Sequence, residues 1–201
     1  IDIMLAIDVS TSMLAEDLKP NRLEAAKDVA AEFINGRPND NIGITLFAGE
    51  TFTQCPLTVD HAVLLDMIHN IKCGLITDGT AVGMGIANAV TRLKDSKAKS
   101  KVIILLTDGT NNKGDISPMT AAEIAKSFGI RVYTIGVGTN GMAPYPYPVG
   151  NTVQYVSMPV EIDEKTLTEI AGTTDGNYFR ATSNSKLKEV YEEIDKLEKT
   201  K

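Results

Sequence analysis

A chain of 201 residues that is 43% apolar and 23% charged can bury one sizeable α/β core. Its net charge of -6 argues against nucleic acid or an anionic membrane surface as the main partner, although a bound cation can still attract an acidic group locally. No apolar run approaches the ~18 residues that cross a bilayer, and no signal-peptide pattern is visible.

The run Ile1 to Met13, IDIMLAIDVSTSM, begins as a strand buried on both faces and breaks into a polar turn that presents Asp8, Ser10 and Ser12 at alternate positions. Arg22 to Ile34 predicts a helix with Leu23, Ala26, Val29, Ala30 and Phe33 at helical spacing, stopped by Gly36 and Pro38. Ile42 to Ala48 reads as a second buried strand. Gly49 to Thr58, which alternates and contains Pro56, suits a short antiparallel edge strand. Asp60 to Ile71 forms a helix carrying both histidines, His61 and His69; with no Cys or carboxylate partner at metal-ligand spacing, surface or packing roles suit them best.

Asp78 to Leu93 is a turn feeding a helix rich in small residues. Lys101 to Gly109, KVIILLTDG, is the most apolar strand and therefore central. A helix from Pro118 to Phe128 leads to the strand Arg131 to Gly138. Thr139 to Met158, rich in Gly, Pro and Tyr, reads as a long loop with room for a small hairpin. A short helix (Asp163 to Ala171), a last strand (Gly176 to Ala181) and an amphipathic helix (Asn184 to Leu197) complete the chain. The expectation is a doubly wound, mostly parallel six-stranded sheet with one short antiparallel edge strand and helices on both faces, formed as a single domain over residues 1–201. Cys55 and Cys73 do not make a disulfide framework and read as core thiols. Because the chain opens inside a strand and closes on KLEKTK, it is expected to be a domain excised from a longer protein.

Thr107, Asp108 and Gly109 leave the central strand at its carboxyl end, where open α/β sheets bind ligands. If that strand neighbours the first, Asp8, Ser10, Ser12, Thr80 and Asp108 converge on one crevice, and an all-oxygen set of this kind suits a hard divalent cation. Taken singly, these residues have duller roles as helix caps and turn formers.

D-x-S-x-S at Asp8 to Ser12, Asp-Gly-Thr at Asp78 to Thr80 and Thr-Asp-Gly at Thr107 to Gly109 resemble the metal-ion-dependent adhesion site of von Willebrand factor type A domains. LAEDLKPNRLEAAK, TQCPLTVDH, and GVGT followed by APYP and DEKTLTEIA resemble more particularly the bacterial Bat (Bacteroides aerotolerance) proteins, nearest their BatA branch. The resemblance implies that Ser10, Ser12 and Thr80 approach Mg²⁺, or Mn²⁺ in its place, through hydroxyls, with Asp8 and Asp108 acting directly or through water. One position is then open for an Asp or Glu of a partner protein. It further implies partners among other Bat-type proteins, and a tether to the bacterial inner membrane by helices outside this chain, with the periplasmic side favoured. Thr11 stands where many relatives have Gly. Glu16, Asp17, Asn111, Asn112 and the Tyr145 to Tyr147 loop are expected to contribute to partner choice.

The alternative is a Mg²⁺-dependent hydrolase or phosphotransferase using the same crevice, but the sequence offers it no convincing base or nucleophile. No G-x-S-x-G occurs, GTNNKGD has Asp115 where a P-loop needs Lys, and Gly83 and Gly85 fall within a predicted helix rather than after a strand.

Overall fold

The computed structural model describes residues 1–199. β1 (Asp2–Asp8) is buried along its whole length, as its unbroken apolar run requires. Its neighbours are β2 (Asn41–Phe47) on one side and β4 (Lys101–Thr107) on the other, both parallel to it. The chain order behind this is β1, then α1 (Arg22–Asn35), β2, an antiparallel β3 (Thr51–Thr58), α2 (His61–His69), α3 (Val82–Leu93) and β4. After β4 come α4 (Pro118–Ser127), β5 (Ile130–Val137), β6 (Met142–Val149), β7 (Thr152–Pro159), α5 (Glu164–Thr173), β8 (Tyr178–Ala181) and α6 (Asn184–Lys199).

The main sheet runs β3-β2-β1-β4-β5-β8, so the chain turns outward in opposite directions from β1 and β4. That switch point opens a crevice beyond the carboxyl ends of the two central strands. Alternation along β1 divides the core: Ile3, Leu5 and Ile7 pack with α1, α2 and α6, whereas Met4 and Ala6 pack with α3, α4 and α5.

Two expectations change. The edge strand β3 is eight residues long rather than short, and it absorbs Pro56 at a register shift opposite Ile42 and Ile44. The hairpin expected within the long loop Thr139 to Met158 is present but takes up most of it: β6 and β7 pair from Met142↔Pro159 to Val149↔Thr152. Its tight turn rests on Gly150 at φ 58, the positive φ that a two-residue hairpin turn of this type needs at its first central position.

Candidate metal centre

Asp8 ends β1 and Asp108 follows β4, so two carboxylates meet at the switch point with almost no exposure, 0% and 3%. Asp8 accepts hydrogen bonds from the Ser10 amide (2.9 Å) and the Thr107 hydroxyl (2.7 Å). The turn after β1 continues as a short 3-10 helix, Thr11–Leu14, which brings Ser12 beneath Asp108. There the Ser12 hydroxyl donates to Asp108 Oδ1 at 2.7 Å, and the Ser10 and Ser12 oxygens lie 3.0 Å apart. Thr80, buried in the turn before α3, has its hydroxyl beside Gly109: a Cβ added there would lie 3.5 Å from it.

The structure therefore brings Asp8, Ser10, Ser12 and Asp108 together through direct bonds and sets Thr80 at their edge. Thr80 does not act as the cap of α3; that position belongs to Ala81, and no side chain caps it. Instead its main chain is pinned by Asn112, whose side-chain oxygen accepts from the Thr80 amide (2.9 Å) and whose own amide donates to the Thr80 carbonyl (2.9 Å). Thr11 donates through amide and hydroxyl to Asp78, fixing the first turn to the α3 turn.

Arg22 is the residue that sequence reading missed. Only 4% exposed, it donates to Asp108 Oδ2 (2.8 Å) and makes a two-pronged pair with Asp17 (2.7 Å each). Asp17 also accepts from the Thr139 amide at the start of the ribbon. Asp17 is thus an internal counter-ion, not part of an accessible partner surface. The side-chain oxygens of Asn111 and Asn112 accept from the Gly83 and Thr80 amides, with Asn112 still exposed, and Glu16 accepts from the Tyr155 hydroxyl. Tyr147 remains exposed. Cys73 departs from the core-thiol expectation: half-buried at the crevice rim, it donates to the Ser10 carbonyl (3.4 Å), whereas Cys55 is buried in the core. His61 has a packing role, its Nε2 lying 2.9 Å from the Asp40 carbonyl.

The charges are poorly balanced. Burial, and then the neighbouring Asp108, push Asp8 up to about 7 despite its hydrogen bonds. Burial raises Asp108 as well, against the pull of Arg22. For Asp17, the hydrogen bonds and charge of Arg22 outweigh burial and hold it below the ordinary carboxylate range. Burial, then the nearby Asp8 and Asp108, drive the Cys73 thiol up to about 12, so it stays neutral. Asp108 consequently shares its guanidinium with Asp17, and Asp8 beside it is held by hydrogen bonds from Ser10 and Thr107 rather than by a cation. A divalent cation would relieve that imbalance.

Adjacent corners of an octahedron with ~2.0–2.1 Å metal–oxygen bonds lie about 2.9 Å apart. The 2.7 Å and 3.0 Å separations along Asp108, Ser12 and Ser10 suit such an edge, hydroxyl protons now bridging oxygens that a cation would bridge instead. Among the described residues no three His, Cys, Asp or Glu side chains group as a metal site, so a cation here depends on hydroxyls. The ribbon closes one side of the crevice: Ala143, Tyr145, Met158 and Pro159 meet Ser12 and Arg22 around a cavity of about 30 Å³, room for roughly one or two waters. A groove of about 300 Å³ between α1 and α6 shares no residue with the crevice.

The family model for the von Willebrand factor type A domain matches residues 2–193. The chain belongs to that family. Among solved structures, this von Willebrand factor A domain is similar to the BatB protein of Bacteroides thetaiotaomicron, with 34% identity and a TM-score of 0.85 over 99% of both chains. It is also similar to an aerotolerance-related membrane protein of Bacteroides fragilis, with 32% identity and a TM-score of 0.83 over 96% of this chain and 97% of that one. Proximal thread matrix protein 1 of the mussel byssus, in a structure whose metal-ion-dependent adhesion site is occupied by zinc, is 25% identical with a TM-score of 0.75, over 98% of this chain and 45% of that one. The domain spans about 58% of the length of curated bacterial relatives 29% and 32% identical to it. No described helix is long and apolar enough to cross a membrane.

Proposed function

We propose that this domain holds a divalent cation, Mg²⁺ with Mn²⁺ as substitute, among Asp8, Ser10, Ser12, Thr80 and Asp108, and uses it to capture an Asp or Glu carboxylate of a partner protein. The observation that carries the reading is the ladder of oxygens from Asp108 Oδ1 through Ser12 to Ser10, spaced at 2.7 Å and 3.0 Å beside a second buried carboxylate. Ser10, Ser12 and Thr80 contribute neutral oxygens, so the ion keeps positive charge with which to attract an anion. Arg22 holds the outer oxygen of Asp108 and leaves the inner one to the cation. The zinc-occupied site of the mussel protein supports a divalent cation at a site of this kind.

The module acts by binding rather than catalysis: the Cys73 thiol at the crevice rim is kept neutral by burial and by Asp8 and Asp108, and Asp8 is given the role of holding the ion. Its setting is the bacterial inner membrane, where it is tethered by segments outside this chain and faces the periplasm. Partners include other Bat-type proteins. Calorimetric titration of Mg²⁺ and Mn²⁺ into the metal-free chain tests the site. The expected result is one ion bound per chain, lost in Asp8→Ala and in the double variant Ser10→Ala/Ser12→Ala. Unchanged binding in those variants, or no binding at millimolar metal, refutes it.

A further inference from the structure

The β6–β7 ribbon has two edges of opposite character. Pro144, Pro146 and Pro148 occupy alternate positions of β6, and none has an amide hydrogen. The Glu16 amide donates to the Pro144 carbonyl (2.8 Å), so this set faces away from β7 and toward the body of the domain. Where the ribbon joins the body, the Val160 amide donates to the Gly141 carbonyl (2.8 Å), which gives the same register from the other end. The odd residues of β6 therefore bond to the even residues of β7, and the backbones of Val153, Tyr155 and Ser157 point outward. All eight residues of β7 are exposed, and none of these three amides bonds to another part of the described chain.

A free edge of this length is ordinarily blunted by charge, proline or cover. On β6 the prolines do that; β7 has a proline only at its last position, Pro159, and no charged residue stands anywhere from Val132 to Val160. The ribbon also exposes Tyr147, Val149, Val153, Tyr155 and Val156. An open edge is unsuited to hydrocarbon, where its amides would find no partner, and this points away from lipid. A two-stranded ribbon is marginal by itself in water, and a four-stranded one is not.

We propose that β7 is the pairing edge of a dimer of this chain, with two ribbons joined antiparallel about Tyr155 into one four-stranded sheet. A two-fold axis at that point sets Tyr155 opposite Tyr155 of the second copy and Val153 opposite Ser157, and each outward residue exchanges both backbone bonds with its mate. Charge selects a second copy as the occupant. Each chain carries -6, and the neutral ribbon is a surface through which two of them meet without opposing like charges. A strand edge with its flanking side chains is smaller than the ~1,200 Å² of stable complexes, so the dimer is weak. The dimer does not depend on a metal in the crevice.

Sedimentation equilibrium of the 201-residue chain in EDTA, from about 10 µM to about 1 mM, tests this, together with hydrogen exchange at both extremes. The chain is expected to dimerise, with the Val153, Tyr155 and Ser157 amides slowing as it does. Tyr155→Pro removes one outward amide and no backbone bond within the ribbon, and is expected to weaken the dimer at least about tenfold, whereas Tyr155→Phe, which loses only the hydroxyl bond to Glu16, leaves it unchanged; Val153→Lys acts through charge and should weaken it as Tyr155→Pro does. Val59→Lys, at an exposed position after β3 and outside the ribbon, leaves association unchanged. A monomer throughout the range, a dimer insensitive to Tyr155→Pro, or a dimer whose three edge amides still exchange freely overturns the proposal.

Discussion

Replacing Arg22 with methionine keeps much of the side-chain volume and removes the guanidinium that Asp17 and Asp108 share. Both carboxylates are nearly inaccessible, with side-chain exposures of 3% and 0%, and Arg22 is the ion-pair partner of each. Breaking a buried pair of this kind costs about 3–5 kcal/mol, chiefly because the remaining charge is stranded. For a domain near 200 residues each kcal/mol moves the midpoint by about 2–4 °C, so R22M in EDTA should melt roughly 6–20 °C below the parent. The deficit should also respond to metal. A cation bound at Asp108 supplies charge that the variant lacks and the parent already has in part, so saturating Mg²⁺ is expected to raise the midpoint more in R22M than in the parent. Thermal melts followed by circular dichroism, with and without Mg²⁺, read both effects. A variant melting within about 2 °C of the parent in EDTA would refute the anchoring role of Arg22.

Asp8 must be ionised to serve a cation, and because it is pushed up to about 7, apparent Mg²⁺ affinity should fall about tenfold for each pH unit below that value. Calorimetry between about pH 5.5 and 8 would reveal this; a constant affinity refutes it. The same raised value means that, in the metal-free chain, the stability Asp8 contributes is full below its ordinary 3.8 and is lost as pH rises through about 7, which melts in EDTA across that window would register. Asn112→Ala removes the side-chain acceptor of the Thr80 amide while leaving the backbone bond to the Thr80 carbonyl, and should cost about 1–2 kcal/mol while weakening metal binding several-fold, as urea unfolding and calorimetry would read. Gly83→Ala would set a Cβ 2.0 Å from the Ile116 carbonyl, forcing α3 away from the segment before α4; a loss above about 3 kcal/mol in urea unfolding is expected, and a neutral result would contradict the packing described.

The six-stranded sheet was legible because buried strands announce themselves. IDIMLAID and KVIILLT are nearly continuous apolar runs, and the helices between them carry apolar residues at helical spacing. The oxygen set was legible for a related reason: Asp8, Ser10, Ser12 and Asp108 sit where two such strands end, and a switch point between β1 and β4 makes them converge. Arg22 was hidden. At the first position of α1 it reads as an ordinary helix-start residue, and only the fold turns it inward between Asp17 and Asp108. The two acids followed by two bases in LAEDLKPNR were its sole signal, and that pattern is shared with many solvated turns. The ribbon was under-read because three prolines in β6 argue against a strand. They are tolerated because all three fall on the edge that needs no amide for pairing, and Gly150-Asn151 between alternating segments was the hairpin signal available.

Anomalous diffraction from crystals of the chain soaked in millimolar Mn²⁺ tests the central claim most directly. The account predicts one peak at the switch point, within about 2.2 Å of the Ser10 and Ser12 hydroxyl oxygens and close to Thr80, with one position held by water or a foreign carboxylate. A crevice without a peak, its Ser12–Asp108 hydrogen bond intact while Mn²⁺ sits elsewhere, would contradict it.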